Sequence, residues 1–216
     1  MTLPLVLHIP HSSLFIPDDV RSTIRLSNEQ LSVELLKMTD HFTDELFGLT
    51  AGSIDQVIFP VSRLVVDPER FVDDQIETMA KRGMGVIYTH GSERQRIRDE
   101  LDETTRKAWL DTYYWPHHQS FEKLVDQKLS ESRKCLIVDC HSFPSYPLPY
   151  ELDQSHIRPD ICIGTDSFHT PEWLSVRLEK YFAQLGYQVA IDSPFSGAIV
   201  PMKFYQQDDR VLSVMI

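Results

Sequence analysis

The stretch Lys134-Cys135-Leu136-Ile137-Val138-Asp139-Cys140-His141-Ser142 decides the fold. Its apolar run from Cys135 to Val138 is bounded by charge, the signature of a strand covered on both faces. Upstream, Leu3 to Ile9 is a second apolar run, ended by Pro10, and also suits a buried strand. Strands of this kind belong to proteins in which helices lie over a largely parallel sheet.

Working outward, Ser27-Asn28-Glu29-Gln30 is a helix start, and Leu31, Leu35, Met38, Phe42 and Leu46 continue it at helical spacing to an end between Gly48 and Gly52. Short strands are expected at Gln56 to Phe59 and Leu64 to Val66, followed by a polar, irregular stretch to about Gly91. From Glu93 to about Leu129 the pattern predicts helix, with Arg98, Asp102 and Arg106 at i,i+4 spacing and a kink or split at Pro116. A strand at Asp160 to Gly164, a helix from Pro171 to Leu185 stopped by Gly186, and strands at Tyr187 to Ile191 and Val211 to Ile216 complete the chain. This alternation predicts one domain over residues 1–216, a three-layer α/β/α sandwich around a mixed, largely parallel sheet.

Composition bounds the function. The 216 residues are 42% hydrophobic and 25% charged, so one core suffices and no structural metal or disulfide is needed. A net charge of -11 with scattered Lys and Arg offers no basic stripe, which argues against nucleic acid as a partner. A few converging arginines would still accept an acidic small molecule. No apolar run reaches the roughly 18 residues of a membrane helix, and the N-terminus lacks a basic n-region. Three cysteines without a CxxC pair fit a reducing, cytoplasmic setting.

His11 and His141 each follow a buried strand, the place where ligands bind in open α/β sheets. Zinc favours imidazole together with a third nitrogen or carboxylate ligand and keeps one position open. Asp40 is the best third candidate, with Asp44 four residues on; both also suit surface or supporting acids. Other divalent metals fit a two-His-one-carboxylate set as well. Arg63 and Arg70 flank a short apolar run, where they suit either a carboxylate clamp or a surface ion pair with Asp67 or Glu69. Arg106 and the Tyr114-Trp115-Pro116-His117-His118 patch suit a substrate pocket or aromatic packing equally. GxSxG, GxxxxGK[ST] and GxGxxG are all missing.

Pro10-His11-Ser12, Thr39-Asp40, Ser62 to Asp67 with Arg70, Arg106 with Pro116 and His118, Asp139 to Ser142, and Pro194-Phe195-Ser196-Gly197 together resemble the N-formylglutamate amidohydrolase family, over nearly the whole chain. The resemblance implies a fold related to the zinc carboxypeptidases and other zinc exopeptidases. It also implies one zinc and hydrolysis of N-formylglutamate to glutamate and formate, a step of histidine degradation. It implies His11, Asp40 and His141 as ligands and Arg63 and Arg70 as catalytic groups. Arg106, His118, Ser142 and Gly197 become substrate contacts.

The sequence departs from that pattern in three places. Pro68-Glu69-Arg70 replaces an Asn-Arg pair, Val200-Pro201-Met202-Lys203 replaces an arginine that Lys203 would substitute, and the family's terminal glutamate lies beyond Ile216. Either the chain continues or another acid, such as Glu151, moves the proton. The leading expectation is a zinc amidohydrolase of a small acidic amide. Hydrolysis of peptides or cell-wall fragments, or a silent binding protein of the same fold, are the alternatives.

Overall fold

The structure is a computed structural model, and residues 4–48 and 54–216 are described. Four strands, β1 (Leu5–Ile9), β2 (Asp55–Ile58), β3 (Cys135–Asp139) and β6 (Val211–Met215), form a parallel sheet in the order β2-β1-β3-β6. A parallel pair, β4 (Ile161–Ile163) and β5 (Val189–Ile191), joins it through an antiparallel bridge between Gly164 and Met215. The bridge is a close approach: a Cβ on Gly164 would lie 2.3 Å from the Gly197 carbonyl.

A short α1 (Asp18–Arg21) comes first in the chain, and helices cover both faces, as expected. On one, Phe121, Val125 and Leu129 of α5 (Trp115–Ser132) pack on Val6, Val57, Cys135, Ile137 and Val211. On the other, Leu7, Ile9 and Cys140 meet Phe47 of α3 (Thr43–Gly48), and Leu174 of α6 (Glu172–Gln184) packs with Ile163 and Val214. Successive side chains point to opposite faces, and because both faces are covered β1 and β6 are buried almost throughout. Among the described residues, no helix is long and apolar enough to cross a membrane.

Three expectations are corrected. The helix from Ser27 stops early: α2 spans Asn28–Met38, opened by a reciprocal capping box between Ser27 and Gln30, and chain direction changes at Thr39 before α3 begins. Phe42, with φ of 64°, makes that change. Second, Leu64 to Val66 is a tight turn in the core, not a strand.

Third, Glu93 to Leu101 is not helical. Helix α4 (Glu103–Trp109) starts where the Asp102 side chain accepts from Thr105 N. Arg98, predicted on a helix face, is fully buried in the preceding loop, where it donates to the Leu64 carbonyl at 2.7 Å and lies over the Trp109 ring. The break expected at Pro116 takes the form of a π-helical segment at Leu110–Tyr114 between α4 and α5. Proline removes a helical donor and crowds the preceding turn, and a wider turn absorbs both.

Candidate metal and amide-binding site

All four strands of the main sheet run the same way, so their carboxyl ends share one edge. Register does the rest: β1 and β3 pair His8 with Asp139, so the chain leaves both strands at one level. His11 and His141 emerge there with ring centroids 5.2 Å apart. Asp40 is brought to them by the break after α2, since Asp40 N donates to the His11 carbonyl at 3.0 Å and the Thr43 hydroxyl holds the Asp40 carbonyl at 2.8 Å.

The Asp40 carboxylate sits between the proximal ring nitrogens, 2.9 Å from His141 Nδ1 and 3.8 Å from His11 Nδ1. The distal nitrogens face other carboxylates. His11 Nε2 lies 3.0 Å from Asp67 Oδ1, and His141 Nε2 lies 3.3 Å from both Asp139 Oδ1 and Glu69 Oε1. His11 Nδ1 is buried without a hydrogen-bond partner, a condition a ligated cation would relieve. Carboxylates behind the distal nitrogens are the usual means of fixing which ring nitrogen keeps its lone pair for a metal.

Charge follows from this packing. Burial, the largest influence, and the Arg63 charge disfavour protonation of His11, but Asp67 and Asp40 outweigh them and raise its pKa. Burial likewise opposes the charge on His141, and Glu69 and Asp139, with Asp40 behind them, raise it well above the ordinary value. For Asp40, burial opposes ionisation and the two imidazoles more than offset it, holding the carboxyl ionised.

Asp67 was not expected to do more than pair on a surface. It is fully buried, accepts from His11, Arg63 at 2.8 Å, the Glu69 amide at 2.9 Å and the Tyr88 hydroxyl, and is ionised despite burial because Arg63, His11 and Arg70 surround it. Glu69, which interrupts the family pattern, joins His11 and His141 in one group of donor atoms within 4.8 Å, and His8 and Asp139 in another. His8 also lies 3.0 Å from His117 Nε2. Neither acid could be placed by spacing, because both act across the fold.

Beyond the histidines lies a cavity of about 690 Å³ lined by His11, Asp40, Arg63, Arg70, His141 and Ser142 among others. Other expected contacts stand elsewhere. Arg106 donates to the Val72 carbonyl at 2.6 Å, and His118 donates to the Pro68 carbonyl at 2.9 Å beneath the Arg70 segment. Gly197, with φ of 94°, backs the Gly164 bridge, while its neighbours Phe195 and Ser196 reach the cavity. Lys203 is not brought to the site: it is half exposed and paired with Asp126 and Glu122. Glu151 does line the cavity, but its carboxylate is tied to Arg158 and to the Leu148 amide.

A family model described as N-formylglutamate amidohydrolase matches residues 3–216. Among solved structures, an N-formylglutamate amidohydrolase from Ralstonia eutropha JMP134 is similar at a TM-score of 0.80 and 21% identity, covering 99% of this chain and 80% of that one. The gene product Atu2144 of Agrobacterium tumefaciens is similar at a TM-score of 0.73 and 22% identity, over 98% and 78% of the two chains. No curated protein sequence matches.

Proposed function

This chain belongs to the N-formylglutamate amidohydrolase family and is a hydrolase of amide bonds, and from that premise we propose that it cleaves a small N-formyl or N-acyl amino acid with the help of zinc. The carrying observation is the Asp40 carboxylate, 2.9 Å from His141 Nδ1 and 3.8 Å from His11 Nδ1, with Asp67 and Asp139 behind the two rings. These donors suit zinc in number and kind. Zinc held there supplies Lewis acidity, polarising a scissile carbonyl and making water acidic near neutral pH.

The protein's own groups do the remaining work. Asp67 anchors Arg63, whose guanidinium, 3.9 Å from Asp40, lines the cavity beside the histidines. Such a fixed cation stabilises negative charge as it develops on a carbonyl oxygen. Arg70 keeps a buried Nε without a partner and is suited to a substrate carboxylate. Ser142, whose amide lies 3.2 Å from Asp40, borders the same space. Three buried, unpaired cysteines support a reducing, cytoplasmic setting.

One observation favours a second ligand set, in which Glu69 replaces Asp40. Glu69 faces the Nε2 atoms of both rings, 3.3 Å from an unpartnered His141 Nε2, but at His11 Asp67 already lies closer, at 3.0 Å against 3.7 Å. The experiment is zinc analysis of the purified protein followed by release of formate from N-formyl amino acids. Stoichiometric zinc with turnover is expected; zinc-loaded protein that hydrolyses no N-acyl amino acid would leave only a binding role.

A further inference from the structure

Behind the site, a thread of polar groups runs through the apolar face that α5 covers. His8 is fully buried in β1, and its ring stacks on Phe121 of α5, with centroids 4.8 Å apart and planes 13° from parallel. His117, also of α5, is buried beside it and meets Phe59 edge to face at 5.0 Å. Polar groups are tolerated in such surroundings only when they bond to one another. Two contacts do this for His8: Nδ1 lies 2.9 Å from Asp139 Oδ1, and Nε2 lies 3.0 Å from His117 Nε2. The same Asp139 oxygen lies 3.3 Å from His141 Nε2. Glu69 stands farther from His8 Nδ1, at 3.7 Å.

Counting hydrogens sets the direction of each bond. A carboxylate oxygen only accepts, so His8 Nδ1 carries a hydrogen. Between the two Nε2 atoms there is room for one hydrogen, donated by one ring and accepted by the other. Burial, with His8 and His118 next, depresses His117 to about 2, so its ring is neutral and has one hydrogen to place. On Nε2 that hydrogen meets His8, whereas His117 Nδ1 has no partner among the described residues. Resting on the reading of His141 as a metal ligand, we propose that His8 and His117 are positioning residues for the zinc site: His117 Nε2 donates to His8 Nε2, which holds the His8 hydrogen on Nδ1, and His8 in turn fixes the Asp139 carboxylate behind His141. Without that donor His8 is free to move its hydrogen to Nε2. A bare Nδ1 then faces an Asp139 oxygen 2.9 Å away, the two lone pairs repel, and His141 loses the acid that stands behind its Nε2.

The first test needs no substitution in the protein measured. Heteronuclear NMR of the full chain with labelled histidine reads which ring nitrogens carry hydrogen, and the variants below assign the signals. Hydrogen on His8 Nδ1 and His117 Nε2 is expected, with His8 Nε2 bare; hydrogen on His8 Nε2 overturns the proposal. The second test compares His117→Leu with His117→Gln, whose amide can donate from the place of Nε2, by chelator competition for zinc and by urea unfolding. His117→Leu is expected to lower zinc affinity by about 3- to 10-fold, less than loss of an acid directly behind a ligand, and His117→Gln to recover it to within about 2-fold. A merely structural pair would lower stability and leave zinc affinity unmoved in both variants, and that result overturns the proposal, as do equal losses of affinity in both. Should His117→Leu not fold, the hydrogen positions in the unaltered chain decide the matter. An unaltered chain that binds no zinc sinks the metal reading and this role with it, whereas normal zinc binding with misplaced hydrogens or unmoved affinities sinks the role alone.

Discussion

Asp40 and His141 lie 101 residues apart in sequence, yet the Asp40 carboxylate is 2.9 Å from His141 Nδ1 and, among the described residues, is the one acid that faces the proximal nitrogens of both histidines. Neither a strand nor a helix supplies Asp40; the interruption between α2 and α3 does.

If Asp40 is the third ligand, Asp40→Asn lowers zinc affinity by about 100-fold or more, whereas Glu69→Gln, which alters a group behind the rings, lowers it by about 10-fold or less. Competition with a chromophoric chelator measures both. The reverse order would assign the metal to Glu69.

Zinc affinity rises with pH in the range where His11 and His141 lose their protons. Carboxylate neighbours raise the pKa of both imidazoles above the ordinary value, which favours their protonated forms in the metal-free protein, and binding must displace those protons. Titration in weakly buffered solution is expected to release protons on binding near pH 7. Proton-neutral binding there contradicts ligation by these two rings.

Removing the charge of Asp67 leaves Arg63 buried without its partner. Asp67→Asn is therefore expected to destabilise the fold by about 3–5 kcal/mol. Urea unfolding of the zinc-free protein measures this apart from any effect on metal.

Burial first, and the neighbouring His8 charge next, depress His118 to about 4. Its unfolded value is 6.5, so the stability from its neutral ring is complete above that pH and is lost as pH falls from 6.5 toward 4. His118→Gln keeps a donor for the Pro68 carbonyl and removes the titration. Unfolding free energies of zinc-free protein across this window should lose up to about 1.4 kcal/mol per pH unit of slope. An unaltered slope means the ring titrates in the folded state as it does in the unfolded chain.

Lys203→Ala should leave turnover unchanged and shift stability by less than about 1 kcal/mol, as for other exposed ion pairs. Loss of activity would require Lys203 to leave Asp126 and reach the cavity.

Local pattern made part of this protein legible. Strands β1 and β3 announced themselves as apolar runs, and the histidines just past them were found by position alone. Arg98, Asp102 and Arg106 show where local pattern fails: their spacing is helical, but burial of Arg98 against Leu64 and Trp109 claims the segment for the core. Asp67, Asp139 and Glu69 escaped for a different reason. Asp67 and Glu69 meet histidines far away in sequence, and Asp139 meets the distant His8 as well as His141 two residues on, so the contacts that place them at the site are made by the fold. Asp67 left one trace, an acid closing an apolar run between two arginines.

The pairing of His8 with Asp139 fixes a common origin from which the chain travels three residues to His11 and two to His141. Inserting a single residue in either exit would keep the sheet and its core yet displace one imidazole by about 3.3 Å, the advance of one extended residue. These two segments are thus constrained in length before they are constrained in identity. Substitutions can retune the cavity, but insertions here dismantle the meeting of the rings.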